Sequence, residues 1–249
     1  MPLSRRNAIQ NIFAGLAGSG LSLFSLESEK VSEIPKGLRV LFQGDSITDA
    51  GRNRGDYYAN RGGGMGQGYV RHIVTHMLGN HAGDDLQIYN RGISGHKVFQ
   101  LSNRWEEDCM MLKPDVLSVL IGVNDFWHTL SGRYKGTAKV YEDDFMALME
   151  RTKKGMPDVK LIIGEPFVLH EGTAIETPKW KGHFEDYQAA AKRVAEQFDA
   201  VFIPYQKVFD EALKEAPTSY WCPDGVHPSM AGNYLMSEAW LKAFMKVMS

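Results

Sequence analysis

Long apolar runs, cysteine and an excess of either charge are what this 249-residue sequence has least of. No stretch approaches the ~20 apolar residues a bilayer crossing takes, so no membrane span is expected. The two cysteines, Cys109 and Cys222, make no disulfide framework. Cys109 lies beside Met110 and Met111 in a helix-like segment, where packing is its expected role. Lys and Arg total 28 against 30 Asp and Glu, a formal net charge of -2, and no basic run stands out. That leaves no electrostatic case for nucleic acid. Internal repeats and low-complexity tracts are missing too. What is there, 43% hydrophobic and 23% charged residues, suits one soluble α/β domain with a proper core, expected over residues 34–249.

The first thirty residues differ from the rest. Ser4-Arg5-Arg6-Asn7 precedes a Gly/Ala/Leu-rich run over 12–24, and a polar stretch from Glu27 to Lys30 follows. A basic start before a mildly apolar middle is the grammar of an export signal, and the paired arginines resemble the twin-arginine type. Ala8 and Ile9 stand where Phe-Leu is common, and no clean Ala-x-Ala cleavage site follows. The alternative is an amphipathic N-terminal helix packed on the domain. An exported protein, periplasmic or extracellular and bacterial, is the expectation.

Beyond Gly37 the pattern is strand, loop, helix, repeated. Strands are expected over 39–42, 86–90, 116–121, 159–164 and 200–203. These aliphatic runs lack clean alternation, as in parallel strands covered on both faces. Helices are expected over 69–78, 101–112, 141–154, 184–197 and 230–248; in the fourth, Tyr187, Ala190, Ala191 and Val194 recur at helical spacing. Five strands alternating with helices predict a doubly wound open sheet. Two long insertions, 50–68 and 167–182, are expected to carry binding specificity, as long loops at the C-terminal strand edge commonly do.

Two apparent motifs are set aside. The glycine cluster from Gly62 to Gly68 has no Gly-Lys-Ser/Thr ending and follows a loop rather than a strand, so it is no nucleotide fingerprint. His72 and His76 have the i, i+4 spacing of a zinc pair but lack the glutamate of H-E-x-x-H and a third ligand. Neither a metal nor a cofactor is expected.

Four segments line up near the ends of the expected strands: Gly44-Asp45-Ser46, Asn90 through Gly95, Gly122-Val123-Asn124-Asp125, and Asp224-Gly225-Val226-His227-Pro228. Each alone reads as turn chemistry. Together they offer what acyl transfer needs. A serine hydroxyl attacks a carbonyl only when a base takes its proton, and His227 is a candidate base. Asp224, three residues earlier across a turn, is spaced to hold one ring nitrogen while the other faces Ser46. The tetrahedral intermediate needs preorganised donors, available from the backbone N–H groups of Ser46 and Gly95 and the Asn124 side chain.

At these residues the chain resembles the SGNH (GDSL-type) hydrolases. Gly44-Asp45-Ser46-Ile47-Thr48, Gly95, Gly122-x-Asn124-Asp125 and Asp224-x-x-His227-Pro228 are similar to that family's four blocks, in order, across nearly the whole domain. The resemblance implies a flavodoxin-like three-layer α/β/α sandwich on a five-stranded parallel sheet. It also implies a serine esterase with Ser46 as nucleophile, His227 as base and Asp224 as its orienting acid, and with Ser46, Gly95 and Asn124 forming the oxyanion hole. Longer stretches, 44–52, 90–95, 104–108 with Lys113-Pro114-Asp115, and 121–127, resemble the bacterial SGNH acetylxylan esterases. By that likeness the substrate is a small acylated carbohydrate. Asp45, Trp127 and Trp221 are then expected to contact it, with core packing the alternative for the tryptophans. Homo-oligomerisation is left open.

Three rivals are weighed. A metal-dependent phosphoesterase would use Asp45, Asn124, Asp224 and His227, but such sites want several histidines and carboxylates, and the four blocks offer one histidine. A silent carbohydrate-binding module on the same fold has no need of the full set of nucleophile, base and donors. A lysophospholipase or thioesterase wants a wide apolar cleft, whereas the loops carry Arg52, Arg54, Asn60, Arg61, Glu171 and Lys179.

Overall fold

The strand-forming runs assemble side by side: β1 (Arg39–Gly44), β2 (Gln87–Asn90), β3 (Val116–Leu120), β4 (Lys160–Gly164) and β5 (Val201–Ile203). A computed structural model describes residues 34–249; the segment read above as an export signal lies outside the described residues. All four pairings are parallel and the strand order is β2-β1-β3-β4-β5. The order reverses between β1 and β3, so a crevice opens where those neighbouring strands end, the usual ligand position in such sheets. Gly44 of β1 is level with Leu120 of β3. The residues following each, Asp45-Ser46 and Ile121 through Asn124, therefore emerge together.

The helices in chain order are α1 (Ser46–Asp49), α2 (Tyr69–Asn80), α3 (Val98–Asn103), α4 (Trp105–Asp108), α5 (Val123–Leu130), α6 (Ala138–Gly155), α7 (Thr177–Trp180), α8 (Glu185–Gln197), α9 (Tyr205–Ala212), α10 (Thr218–Trp221) and α11 (Met230–Met248). Helix α6 starts where Thr137 accepts a hydrogen bond from the Val140 N–H, and it buries Tyr141, Phe145, Leu148, Met149 and Thr152 at helical spacing. Helices α2 and α11 pack on each other on one face of the sheet. Phe42 and Ser118, paired across β1 and β3, both face that layer: Phe42 meets Tyr69 and Trp240, and the Trp240 indole donates to the Ser118 hydroxyl at 2.9 Å. Helices α3, α6 and α8 form the other layer, where the buried Trp105 donates to Thr152 at 2.9 Å. Two helix layers around a parallel sheet make the three-layer sandwich expected from the sequence.

The sequence expectations for β2 to β5 hold to within a residue at either end, and β1 runs two residues further, to Gly44. The helix expected over 101–112 is instead broken. It forms α3, α4 and a 3-10 turn at Met110–Leu112, with Arg104 and Cys109 in non-helical conformations at the joints. Neither α5 nor α9 was anticipated.

Both insertions turn out to be structural. Asn60, in the first, pairs with the free edge of β2: its N–H donates to Ile88 O at 3.0 Å, and its side chain accepts from Ile88 N at 2.9 Å. That closes an edge otherwise open to foreign strands. The second buries Phe167, Val168, Leu169 and Trp180. Its backbone then clasps the turn at Asp224: Leu169 N donates to Gly225 O at 2.9 Å, and Thr173 N and Ala174 N to Pro223 O and Asp224 O at 3.0 Å each. This clasp fits because Gly172 has no side chain; a Cβ there would lie 2.1 Å from Gly225 N and 2.3 Å from the Asp224 carbonyl carbon. Gly172→Ala is therefore expected to cost about 1–3 kcal/mol, the usual range for overpacking. Urea unfolding with an unchanged midpoint would show that the clasp tolerates displacement.

Candidate active site

Ser46 opens α1 immediately beyond β1, and the turn is fixed by Asp45, whose Oδ1 accepts the Ile47 N–H at 3.0 Å. A carboxylate in that position satisfies one of the free donors of the first helical turn. The last block is folded around a second carboxylate. Asp224 Oδ1 accepts the N–H groups of Val226 at 2.8 Å and His227 at 2.7 Å, while Oδ2 accepts from His227 Nδ1 at 2.6 Å. Because a carboxylate only accepts, Nδ1 carries the proton and Nε2 is left as an acceptor. Nε2 lies 2.7 Å from Ser46 Oγ. The three side chains thus form one hydrogen-bonded line, joined across 181 residues of sequence at the Ser46–His227 link.

The electrostatics follow the geometry. Burial works to raise the Asp224 carboxyl, but the His227 side chain and the His227 and Val226 N–H groups outweigh it and bring it down to about 2. The hydrogen bond to Asp224 raises the His227 imidazole above its ordinary value, against desolvation, and the Asp224 and Asp45 charges add to the rise. Both partners shift in the direction of a stable ion pair once His227 takes a proton.

Opposite this line stands the segment between β2 and α3. Ile93 N donates to Gly44 O at 3.1 Å, and Ser94 donates through both N–H and hydroxyl to Asp49 Oδ2 at 2.9 Å each. Arg52 Nε holds Gly92 O at 2.8 Å, and Arg54 reaches Asp49 at 2.7 Å. Gly95 adopts φ +82°, a backbone conformation costly for any other residue, and a Cβ there would meet only open space. Asn124, buried at the start of α5, spends one side-chain N–H on His96 O at 3.3 Å. Its neighbour Asp125 accepts the Val98 N–H at 3.2 Å, a second tie between α5 and this segment. Asp49 and Asp125 escaped the reading of the sequence as organisers of the site. The position of Asp49, three residues after Ser46 on a helical turn, was the available signal.

Ser46, His227, Asp224, Gly95 and Asn124 all lie on elements that meet at the C-terminal rim of β1 and β3. The expected substrate contacts fare differently. Asp45 is only 1% exposed, and burial pushes its carboxyl up to about 7. A buried helix cap has no surface to offer a ligand, so Asp45 is withdrawn from the binding residues. Trp221 is half-buried with its indole N–H committed to Ala212 O at 2.9 Å and Ala216 O at 3.1 Å, which leaves only ring surface for contact. Trp127 is half-buried, edge-on to the buried Trp180 at 5.8 Å. His72 and His76 sit on α2, and no group of three or more His, Cys, Asp or Glu among the described residues is arranged to hold a metal ion. A cavity of about 700 Å³ opens at the other end of the sheet, beside Arg39, Asp115 and Lys160, and none of the site residues lines it. Chemistry, not concavity, locates the site.

Residues 42–235 match the GDSL-like Lipase/Acylhydrolase family. An acetylxylan esterase of Geobacillus stearothermophilus is 34% identical over 212 residues, covering 84% of this chain and 95% of that protein. Its crystal structure superposes with a TM-score of 0.75 at 32% identity, over 84% of this chain and 95% of that one. Two further structures of it, with a serine and an aspartate replaced by alanine, are described as catalytic mutants. A Parabacteroides merdae protein classed with the GDSL-like lipases is 46% identical, with a TM-score of 0.84 over 87% of this chain and 99% of that one. No helix among the described residues is long and apolar enough to cross a membrane. The chain belongs to the GDSL-like lipase/acylhydrolase family, and it is a carboxylic ester hydrolase with the SGNH fold.

Proposed function

We propose that the protein removes acetyl groups from carbohydrate, acetylated xylan fragments or a related oligosaccharide, through a covalent acyl-enzyme on Ser46. The observation that carries the mechanism is the line from Asp224 through His227 to Ser46, with links of 2.6 and 2.7 Å. His227 Nε2 takes the Ser46 proton as Oγ attacks the ester carbonyl, and the imidazolium that forms lies against a carboxylate already ionised. The oxyanion is met by the N–H groups of Ser46 and Gly95 and by the Asn124 amide. The bond from the carbonyl carbon to the sugar oxygen then breaks, and the imidazolium protonates that oxygen, so the sugar leaves with a free hydroxyl. In the second half a water gives its proton to His227 and attacks the acyl carbon; the acyl–Oγ bond breaks, the imidazolium returns the proton to Ser46 Oγ, and acetate leaves. The carbohydrate reading rests on the likeness to the Geobacillus acetylxylan esterase and on the polar side chains, Ser94, His96 and Arg54, around Gly95. In that relative, serine and aspartate are the residue types replaced in the catalytic mutants. This chain sets the same two types on either side of His227.

Ser46→Ala is expected to abolish hydrolysis of 4-nitrophenyl acetate and of acetylated xylo-oligosaccharides while the circular dichroism spectrum stays native. Asn124→Ala should lower turnover by about 10²–10³, the usual loss for one oxyanion donor. Turnover retained in the serine variant would sink the mechanism.

The pH dependence has a definite sign. His227 acts as base only when neutral, and its raised pKa means that activity falls with decreasing pH at a point above the ordinary histidine value of about 6.5. Asp224→Asn removes the interaction that raises it. The acid limb of kcat/KM should move to lower pH, with activity reduced by up to about 10⁴-fold. A limb that stays put would assign the titration to another group.

The Arg5-Arg6 start and the Gly/Ala/Leu-rich run behind it support export, which suits an enzyme acting on plant polymer outside the cell. N-terminal sequencing of protein from the bacterial envelope or medium should find the first residues removed; a full-length chain confined to the cytoplasm would overturn this.

A further inference from the structure

His96 follows Gly95 directly, and its carbonyl already holds Asn124, so its backbone is part of the wall opposite the Ser46–His227 line. Its side chain has no part in the mechanism above. The ring is half-buried, and its Nδ1 lies 3.3 Å from Arg104 Nε. A guanidinium has only donors, so Nδ1 must accept, and the single proton of the neutral ring is confined to Nε2. Arg104 is held in turn by Asp108, whose Oδ2 is 2.8 Å from its Nη1. Nε2 of His96 makes no hydrogen bond to any described residue and is not among the enclosed, partnerless polar atoms.

We infer that His96 is a fixed hydrogen-bond donor for substrate, its Nε2–H reserved for an acceptor oxygen, a hydroxyl or ring oxygen, of the sugar that carries the acetyl group. This rests on the carbohydrate reading of the site. The charges facing the ring agree: desolvation, then Arg104, Arg54 and Lys97, lower its pKa to about 4, and Asp108 opposes them only in part. Across the pH range in which His227 works as a base, His96 therefore stays neutral. A neutral N–H discriminates differently from the arginines nearby. It attracts any sugar oxygen without calling for an anion. Because Nδ1 is occupied and Nε2 protonated, the ring also has no lone pair with which to compete for the Ser46 proton. Arg104 is the positioning residue, acting through the tautomer it imposes.

The test is the ratio of KM for acetylated xylo-oligosaccharides to KM for 4-nitrophenyl acetate, which carries no sugar oxygens. His96→Leu should raise that ratio roughly tenfold, the worth of one good hydrogen bond, and His96→Gln, which can still donate, should recover most of it. Arg104→Met frees Nδ1, so His96 should titrate nearer its ordinary value, and the KM ratio should become pH-dependent on the acid side. In the wild-type enzyme, a long-range ¹H–¹⁵N spectrum should show His96 as the neutral Nε2–H tautomer down to about pH 5. A Nδ1–H tautomer, equal loss on both substrates, or a glutamine variant no better than leucine would each overturn the assignment. A wild type that cleaves the aryl acetate but no acetylated oligosaccharide would remove the carbohydrate reading itself, an outcome distinct from failure of the variants alone.

Discussion

The carboxylate of Asp224 is what the proposed chemistry of this protein hangs on. Its two oxygens take two hydrogen bonds from the backbone of the turn that carries His227, one from the imidazole itself and a long one, 4.0 Å, from the Cys222 thiol. The same charge thus folds the turn and aims the ring. An ion half-removed from water would ordinarily be driven toward its neutral acid; here the donors hold it down at about 2. Protonating it at Oδ2 would take away the acceptor of the imidazole N–H, while Oδ1 could still hold the turn. The second insertion adds the outer support, three backbone hydrogen bonds to residues 223–225 made at glycine-to-glycine distance.

The sheet supplies the other half. With β1 and β3 adjacent and their ends level, the serine turn and the asparagine helix are neighbours without any long connection having to reach across. What keeps them in register is a set of carboxylates spent on backbone N–H groups. Asp45 caps α1, Asp49 holds Ser94, and Asp125 holds Val98 at the start of α3. Asp45 and Asp125 are buried, and burial pushes each up to about 7. Each commits one oxygen to a backbone donor and leaves the other buried without a partner. Carboxyls so placed tie elements together; they are too deep to touch a ligand.

That depth is what the sequence hid. Strand runs such as 116–121 were legible because a parallel strand covered on both faces must be apolar throughout. Ser46, Gly95, Asn124, Asp224 and His227 stand out in the sequence because four short segments follow the order of a known family's blocks, and the fold brings their elements to one rim. The substrate contact expected of Asp45 came from family likeness, which carries no sign that the residue is buried as the cap of the helix beginning at Ser46. The break of 101–112 at Arg104 was invisible for a related reason. Arg104 is a good helix former, yet its backbone leaves helical geometry at φ -113° and ψ 10°, and local propensity carries no signal of such a joint. Helix α9 is eight residues with few buried side chains, too short to announce itself by periodicity.

The insertions raise the sharper question of where specificity resides. Length and polarity marked both as recognition loops, yet one is occupied in closing the β2 edge and the other in clasping the acid–base turn. A loop that anchors a catalytic residue is poorly placed to vary with substrate, since any shift is felt at Asp224. The segment between β2 and α3 is different. Its backbone is fixed by Asp49, Arg52 and Asn124, while Gly95 opens onto free space and the Arg104 contact leaves the His96 Nε2–H as the donor inferred above to serve substrate. A rigid backbone with a few unspent side-chain donors is the arrangement that discriminates among oxygen-rich ligands. On the proposed carbohydrate reading, recognition falls to this short strand-to-helix connection, while the long loops brace the β2 edge and the turn at Asp224.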